Sequence, residues 1–464
     1  MLFIQSNSLA LAPDEGGRLR LLDALAEKGL KPLLRSTRRE LFGALGGNAS
    51  AAELERACAG RAAASGKGAY TPGELFGGGD CLLALVFGAG GGETNACVVY
   101  DLNTAEPLAR LERFCREVHE ALGSVHKETT ASPSSESQAP LPLWRPRARG
   151  AQQGLARFTA IQPEEFVRAA AALRGGRELA RASEMLEERA VRDFLKRIEE
   201  LRREGYTPRR MLAEADTHGH VSVEHLVGAG LLEREIRVSC RKHGHALFDL
   251  PSPDSLAAVT ISRAKCSLCA APVADEVVEE TYSPSRLAVA LLADGGWLGH
   301  RVYRIVRSLG VPESDISTGP PTEHGESYLA ADVCGSSFIV VSRDGDLTPA
   351  FARRAAEIVE ETEATHLVAV VTGSAEDEGR LRLYEFAWRR ARGGRDLDTT
   401  VVEGLDTARA QVERAFSRAV RRELSRALFP LDAALGFPAA GFVLEWFRAA
   451  RAHTGSDSLS KLSA

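Results

Sequence analysis

Two short pairs of metal-ligand residues constrain the middle of this chain more than any other feature. Cys240 and His243 form the first pair, in "SCRKHGH", and Cys266 and Cys269 form the second, in "AKCSLC". Two residues separate the members of each pair, and 22 residues separate the pairs. Ligands at this spacing fit a tight turn that points both side chains at one ion, and two such turns complete the tetrahedron that Zn²⁺ prefers. We predict a zinc site at these four residues, with His245 as a rival fourth ligand.

Strand-like segments surround both pairs. "EIRV" precedes the first pair, "AVTIS" precedes the second, and "APVADEVVE" follows it. This layout resembles the zinc ribbon family over residues 236–280, although His243 stands where most ribbons carry Cys. The resemblance implies a structural Zn²⁺, because four protein ligands close the site and leave no open position for chemistry.

Length and composition set the broad class of the protein. A chain of 464 residues predicts several domains, and 44% hydrophobic with 26% charged residues is typical of a globular protein. The net charge of −5 gives no global case for nucleic-acid binding, so only a local basic face could serve it. No apolar run reaches the ~20 residues that span a bilayer, and the opening "MLFIQSNS" lacks the features of a secretory signal. We expect a cytoplasmic protein with reduced thiols and no membrane partner.

The pattern of apolar residues predicts a multi-domain α/β chain. Residues 1–123 are predicted to form an N-terminal α/β domain, and the Ser- and Pro-rich residues 124–150 a flexible linker. Residues 151–235 are predicted to be helical. Residues 284–451 are predicted to form a second α/β domain with C-terminal helices, which begins with one helix at 284–309 and has "RLRLYEFAW" as a strand.

The segment "SVEHLVGAGLLEREIRV" resembles the last helix and first wing strand of a winged helix. Winged helices are used to bind nucleic acid and also to contact proteins, so the resemblance implies DNA, RNA or protein partners. Local charge agrees with a nucleic-acid role, although Glu199, Glu200, Glu233 and Glu235 oppose it. The basic residues of this region are Arg202, Arg203, Arg209, Arg210, Arg234, Arg237, Arg241, Lys242, Arg263 and Lys265. We predict phosphate contacts from Arg241, Lys242, Arg263 and Lys265.

Residues 324–373 run as a strand with an acid near its end, a tight turn, an apolar strand, a helix and another apolar strand. This order resembles the restriction-endonuclease-like core. In that family an Asp on one strand and a Glu-x-Lys or Asp-x-Lys on the next hold Mg²⁺ and position a water. Asp332 matches the Asp, but Val341 and Arg343 stand where the Glu and Lys belong. The resemblance therefore implies a nuclease-like fold without a complete cleavage centre.

Three functions stay open at this point. The first is a zinc-containing nucleic-acid-binding or complex-forming protein with an inactive nuclease-like domain, a build that resembles components of prokaryotic antiviral or restriction-type systems. The second is an active Mg²⁺-dependent nuclease that uses Asp332 with Glu326 or Asp344, beside Arg343. The third is a zinc-folded scaffold for protein–protein contacts.

Overall fold

The computed structural model divides the chain into two compact units. The first unit comprises Met1–Gln153, Asp332–Ser336 and Glu413–Ala464, and the second comprises Gly154–Ala331 and Ser337–Val412. The residues that the structure describes are 1–11, 13–45, 51–65, 71–88, 93–129, 144–146, 177–204, 221–251, 253–261, 264–292, 295–319, 325–435 and 438–460. Within these ranges, no helix is both long and apolar enough to cross a membrane.

The first unit is built on a six-stranded antiparallel sheet in the order β2-β3-β4-β5-β1-β6. Its strands are β1 (Leu2–Leu9), β2 (Lys31–Pro32), β3 (Gly73–Gly77), β4 (Cys81–Val86), β5 (Thr94–Asp101) and β6 (Trp144–Pro146). Every residue of β4 is buried, as expected for a central strand. The edge strand β6 lies within the range predicted as a linker, of which 130–143 and 147–150 fall outside the described residues.

Four helices accompany this sheet: α1 (Glu15–Glu27), α2 (Leu33–Leu45), α3 (Ala51–Ser65) and α4 (Pro107–Thr129). Apolar residues of α1 and α4 pack in its core. Asp14 begins α1, because its carboxylate accepts a hydrogen bond from the backbone N–H of Gly17 at 2.7 Å. Leu21, Leu22 and Leu25 of α1 then pack into the core of the first unit.

The second unit contains a five-stranded sheet in the order β10-β11-β12-β13-β14. The strands are β10 (Ile316–Thr318), β11 (Glu326–Val333), β12 (Ser336–Arg343), β13 (His366–Val371) and β14 (Asp398–Glu403). β10 runs antiparallel to β11, whereas β12, β13 and β14 run parallel to one another. A tight turn joins β11 to β12, with Cys334 at φ 54° and Gly335 at φ 83°.

Three helices alternate with these strands: α10 (Gly296–Ser308), α11 (Pro349–Thr362) and α12 (Asp377–Arg392). Two further helices follow β14, α13 (Ala408–Leu435) and α14 (Ala439–Ser460), and from Glu413 onward they belong to the first unit. Thr348 caps α11 and Pro349 occupies its first turn, where a missing N–H costs nothing. The element order from α10 to β13 is helix, three strands, helix and parallel strand. The chain is therefore a mixed α/β protein with several sheets, as the sequence predicts.

A three-stranded antiparallel sheet in the order β8-β7-β9 forms the remaining part of the second unit. Its strands are β7 (Leu232–Ser239), β8 (Ala246–Leu250) and β9 (Val277–Pro284). The helices α5 (Arg177–Met185), α6 (Arg189–Arg203) and α7 (Val223–Gly228) precede these strands, α8 (Pro253–Ile261) lies between β8 and β9, and α9 (Arg286–Leu292) follows β9. Residues 151–176 and 205–220 of the predicted winged-helix-like region (151–235) lie outside the described residues.

Three local predictions were wrong. "RLRLYEFAW" belongs to helix α12, because Leu383, Phe386 and Ala387 pack on the core at helical spacing. The first four residues of "AVTIS" end helix α8 and do not form a strand, and the fifth lies outside the described residues. The single helix predicted at 284–309 is two helices separated at Gly295, whose φ of 69° favours glycine and whose added Cβ would lie 2.8 Å from the carbonyl oxygen of Gly325.

Candidate metal centre

The first pair of predicted ligands lies in the turn that joins β7 to β8. The backbone N–H of Gly244 donates to the carbonyl of Cys240 at 2.7 Å, and the N–H of Cys240 donates to the carbonyl of His245 at 2.9 Å. Gly244 has φ 70°, a left-handed conformation that glycine adopts at no steric cost. We refer to Cys240–Gly244 as the first knuckle.

The second pair lies in a turn of the same kind before β9. The N–H of Ala270 donates to the carbonyl of Cys266 at 2.9 Å, and the N–H of Cys266 donates to the carbonyl of Ala271 at 2.9 Å. Ala270 has φ 56°, which costs a residue with a Cβ about 1–2 kcal/mol and so indicates that its surroundings impose the turn. In this second knuckle, Cys266–Ala270, Cys269 occupies the place that His243 holds in the first.

The side chains of the two knuckles meet. The Sγ of Cys240 lies 3.6 Å from the Sγ of Cys269 and 3.5 Å from the Nδ1 of His243. The Sγ of Cys266 lies 3.7 Å from the Nε2 of His245. A disulfide would require about 2.05 Å between the sulfurs. The ligands of tetrahedral Zn²⁺ are separated by about 3.8 Å for two sulfurs and about 3.6 Å for sulfur and nitrogen, given the usual bond lengths.

The structure brings together more candidate ligands than a tetrahedron needs. Two overlapping sets of four have all their ligand atoms within 4.8 Å of one another, and both contain Cys240 and Cys266. His243 and His245 complete the first set, whereas Cys269 and Glu276 complete the second. The predicted quartet is therefore divided between the two sets. This cluster can hold a metal ion.

Glu276 is a candidate ligand that the sequence analysis did not single out. It is buried, one of its oxygens accepts the backbone N–H of Arg241, and its Oε1 has no hydrogen-bond partner. The Nδ1 of His245 is likewise buried without a partner. The only sequence signal for Glu276 is an acid seven residues after Cys269, which is too common to identify a ligand.

The pKa values of the two thiols that both sets share, Cys240 and Cys266, are shifted in opposite directions. Cys240 is 1% exposed and Cys266 is 2% exposed. Burial raises the pKa of the Cys240 thiol. At Cys266 burial also opposes ionisation, but the backbone N–H groups of Cys269 and Leu268, together with the side chains of Cys269 and Cys240, outweigh it, so the pKa of that thiol lies below its ordinary value. The second knuckle thus stabilises the thiolate that a metal ion requires.

Several arginines of the predicted basic face are paired with carboxylates in the structure, so fewer cations are available to bind phosphate than the sequence suggests. Arg237 pairs with Asp249 at 2.8 Å, Arg202 with Glu235 at 2.9 Å, and Arg234 with Glu280 at 3.7 Å. Arg203 pairs with Glu199 at 3.1 Å. Arg209, Arg210 and Arg263 lie outside the described residues.

The basic residues that remain lie on or beside the knuckles. Arg241 and Lys242 occupy the first knuckle, and Lys265 immediately precedes the second; all three are exposed. In the described part of the chain, no ion pair joins any of the three to a carboxylate. Leu268 of the second knuckle is 68% exposed. We refer to these four residues as the knuckle tips.

Glu326, a candidate Mg²⁺ ligand in the nuclease hypothesis, is fully buried at the start of β11. Its carboxylate accepts hydrogen bonds from the Nε of Arg354 at 2.8 Å and from the hydroxyl of Tyr328 at 2.7 Å. Arg343 lies 3.7 Å away as a second cation. The hydrogen bond to Glu326 raises the pKa of Arg354. Two guanidinium groups therefore compensate this carboxylate already.

Asp332 lies towards the other end of the same strand. Six residues of extended chain separate it from Glu326, a span of about 20 Å. One oxygen of Asp332 accepts the backbone N–H of Gly335 at 2.8 Å, which stabilises the turn before β12. The structure does not bring Asp332 and Glu326 to one point.

Asp344 follows β12 and is also paired. Arg192 holds its carboxylate with Nε and NH2 at 3.2 Å, and Thr372 donates to it at 2.7 Å. The guanidinium of Arg192 also lies 4.6 Å from the ring centroid of Trp297, so a cation–π contact holds it in addition to the carboxylate. Arg343, the remaining candidate, donates to the hydroxyl of Thr348 at 3.1 Å.

Comparison with known proteins found no matching family model, no matching curated protein and no matching solved structure.

Proposed function

We propose that the cluster binds Zn²⁺ and that the ion holds the β7–β9 region together without taking part in a reaction. Thiolate and imidazole ligands are those that zinc prefers in proteins. The observation that carries the proposal is geometric: the Sγ of Cys240 lies 3.5 Å from His243 and 3.6 Å from Cys269, which matches the ligand spacing of a zinc tetrahedron. The apolar core beneath is small, with Val238, Leu250 and Val273 at its centre, so a bound ion would contribute a large share of the folding free energy.

We assign the ligands Cys240, His243, Cys266 and Cys269, which gives each knuckle two ligands. The support is the equivalence of the two turns, in which His243 and Cys269 hold the same place relative to the first Cys. His245 follows the first knuckle, and its equivalent in the second is Ala271, which has no ligand atom. It remains the alternative fourth ligand.

The knuckle tips supply a surface for nucleic acid. Arg241, Lys242 and Lys265 are exposed cations with no carboxylate partner among the described residues, so binding a phosphate breaks no existing ion pair there. Leu268 adds an apolar contact beside them. The function supported best is therefore a zinc-stabilised nucleic-acid-binding protein, in which contacts to phosphates dominate affinity.

The five-stranded sheet belongs to a nuclease-like domain that does not cut. The helix, three-strand, helix and parallel-strand order supports the resemblance to the restriction-endonuclease-like core. Cleavage needs at least two carboxylates around one Mg²⁺. Here Glu326 and Asp344 are already held by arginines, and Asp332 lies far along the strand from Glu326.

Salt dependence of binding tests the nucleic-acid role. The zinc-loaded chain should bind short duplex or single-stranded oligonucleotides, with an affinity that falls steeply as salt increases. Replacing Arg241 and Lys242 together by Ala should reduce the slope of log K against log salt by roughly 1.4–1.8, the value for two lost phosphate contacts. Arg203→Ala and Arg234→Ala, which remove ion-paired arginines, are the matched controls.

Two results of the binding assay would contradict the proposed role of the knuckle tips in binding nucleic acid. No binding at low salt, or a slope that the double substitution leaves unchanged, would contradict the role of the knuckle tips. The zinc-folded protein scaffold would then be the better function.

A further inference from the structure

Helix α12 of the second unit carries a stripe of large apolar side chains on its solvent face. Leu381 is 56% exposed, Tyr384 is 50% exposed and Trp388 is 59% exposed. Spacings of three and four residues place all three on one side of the helix. Gly379, Leu383 and Arg390 are buried on the other side. The stripe is therefore separate from the face that holds α12 on its own sheet.

Charged residues lie at the two ends of the stripe. Asp377, in the first turn of α12, and Arg392, in the last turn, are exposed and fall on the same side of the helix as Trp388. The guanidinium of Arg392 lies 4.1 Å from the ring centroid of Trp388. Along its exposed face, α12 thus runs from an acid, through three apolar residues, to a base.

We propose that this face pairs antiparallel with α12 of a second copy of the chain. A two-fold axis that crosses between Tyr384 and Glu385 brings Leu381 opposite Trp388 of the partner subunit. The same axis brings Asp377 opposite Arg392 of the partner subunit, and the reverse, because both pairs of numbers are symmetric about that point. Two apolar contacts and two ion pairs then form from a single helix.

Self-complementarity favours a second copy over other occupants. A two-fold interface uses the same patch on both subunits, so an acid at one end of the helix must lie opposite a base at the other end. Asp377 and Arg392 meet this condition. Antiparallel helices also align their dipoles favourably. A nucleic acid would meet Asp377 and Glu385 on this face, and both repel phosphate. Without a partner, Leu381, Tyr384 and Trp388 leave apolar surface exposed to water.

The size of the helix sets the expected strength. α12 has 16 residues, a length of about 24 Å. One pair of helices this long buries less than the ~1,200 Å² of a stable interface. We therefore expect a reversible dimer with a dissociation constant on the order of 10 µM.

Sedimentation velocity of the full zinc-loaded chain over a range of concentrations measures this directly. The wild-type chain should shift from monomer to dimer as concentration rises. Trp388→Ala should remain monomeric at concentrations about tenfold higher. The control is Val289→Ala, which removes a side chain that is 53% exposed on α9 and should leave the dimer intact.

A charge exchange tests the antiparallel register. Asp377→Arg alone brings two arginines together at each end of the interface, and Arg392→Asp alone brings two aspartates together, so neither variant should dimerise. An equal mixture of the two variants should dimerise at the wild-type concentration, because every pair is then opposite in charge.

Two outcomes of these measurements would overturn the proposal: a wild-type chain that stays monomeric at about 100 µM, or a mixture of the two charge variants that fails to restore the dimer. A third would be a monomeric wild-type chain that loses oligonucleotide binding when Trp388 is replaced by Ala. The last would assign the stripe to nucleic acid. The proposed dimer interface on α12 contains none of the knuckle tips. Replacing Arg241 and Lys242 should therefore leave dimerisation unchanged, so the two proposals can fail separately.

Discussion

Arg354 donates a hydrogen bond from Nε to the buried carboxylate of Glu326 at 2.8 Å. The carboxylate is fully buried and also accepts the hydroxyl of Tyr328. A metal ion would have to displace a guanidinium that is already hydrogen-bonded to the same oxygens. This pair therefore stabilises the start of β11 and opposes a Mg²⁺ site there.

Removing Arg354 should destabilise the chain. Arg354→Leu leaves the Glu326 carboxylate buried, with Arg343 beside it at 3.7 Å. Breaking such a pair costs up to 3–5 kcal/mol, and because Arg354 is partly exposed we expect about 2–3 kcal/mol in denaturant unfolding. Arg353→Leu, at an exposed neighbouring position, should change the free energy of unfolding by less than about 0.5 kcal/mol. Equal effects of both variants would show that the ion pair contributes nothing.

The chain should not cleave nucleic acid with Mg²⁺ or Mn²⁺. Asp332→Ala should leave that result unchanged, and should lower stability by about 1 kcal/mol because the N–H of Gly335 loses its acceptor. The assay follows degradation of single- and double-stranded substrates with purified protein. Metal-dependent cleavage that disappears in Asp332→Ala would instead show an active nuclease.

Stability should fall as the solution becomes acidic, in part through His300. Burial, and after it the charges of Arg304 and Arg301, lower the pKa of His300 to about 4. The unfolded chain binds this proton near pH 6.5, so it carries more protons than the folded chain between about pH 4 and 6.5. The contribution of His300 is therefore complete above pH 6.5 and lost as the pH falls towards 4, a change of roughly 1–3 kcal/mol.

Denaturant unfolding at several pH values checks this prediction. His300→Gln should flatten the pH dependence of the free energy of unfolding in that window. It can keep the hydrogen bond that joins His300 Nδ1 to the hydroxyl of Ser183 at 2.8 Å. An unchanged slope in the variant would show that His300 is not responsible.

The two histidines near the knuckles should differ in their effect on metal affinity. His243→Ala removes a proposed ligand and should weaken binding at least 100-fold, whereas His245→Ala should weaken it by about tenfold or less. Competition of each variant against a chelator of known affinity measures both constants. A larger loss with His245→Ala would exchange the roles of the two residues.

Local features of this fold could be predicted from the sequence, and features set by packing could not. The run His366–Val371 is buried throughout as β13, because a continuous apolar run of that length has few alternatives in an α/β domain. The segment that forms α12 alternates Arg and Leu at its start and so resembles a strand. Its helical conformation follows from the packing of Leu383 and Phe386, three residues apart, on the same core, which the sequence alone does not reveal.

The same division holds at the candidate metal centre. The knuckles were predictable because their spacing is local and their turns are short. Glu276 was not, because it reaches the cluster only through the 3₁₀ turn Val273–Asp275 that follows the second knuckle. The ion pairs that narrow the basic face, such as Arg237 with Asp249, depend on strand register and are invisible in a list of charges.

Metal content of the purified chain tests the central claim most directly. Elemental analysis should find about one zinc ion per chain in the wild type and almost none in Cys266→Ser. Hydrogen exchange should show that β7, β8 and β9 lose protection when zinc is removed, while β13 does not. A metal-free wild-type chain, with the same protection in β7–β9 as one to which zinc has been added, would contradict the account.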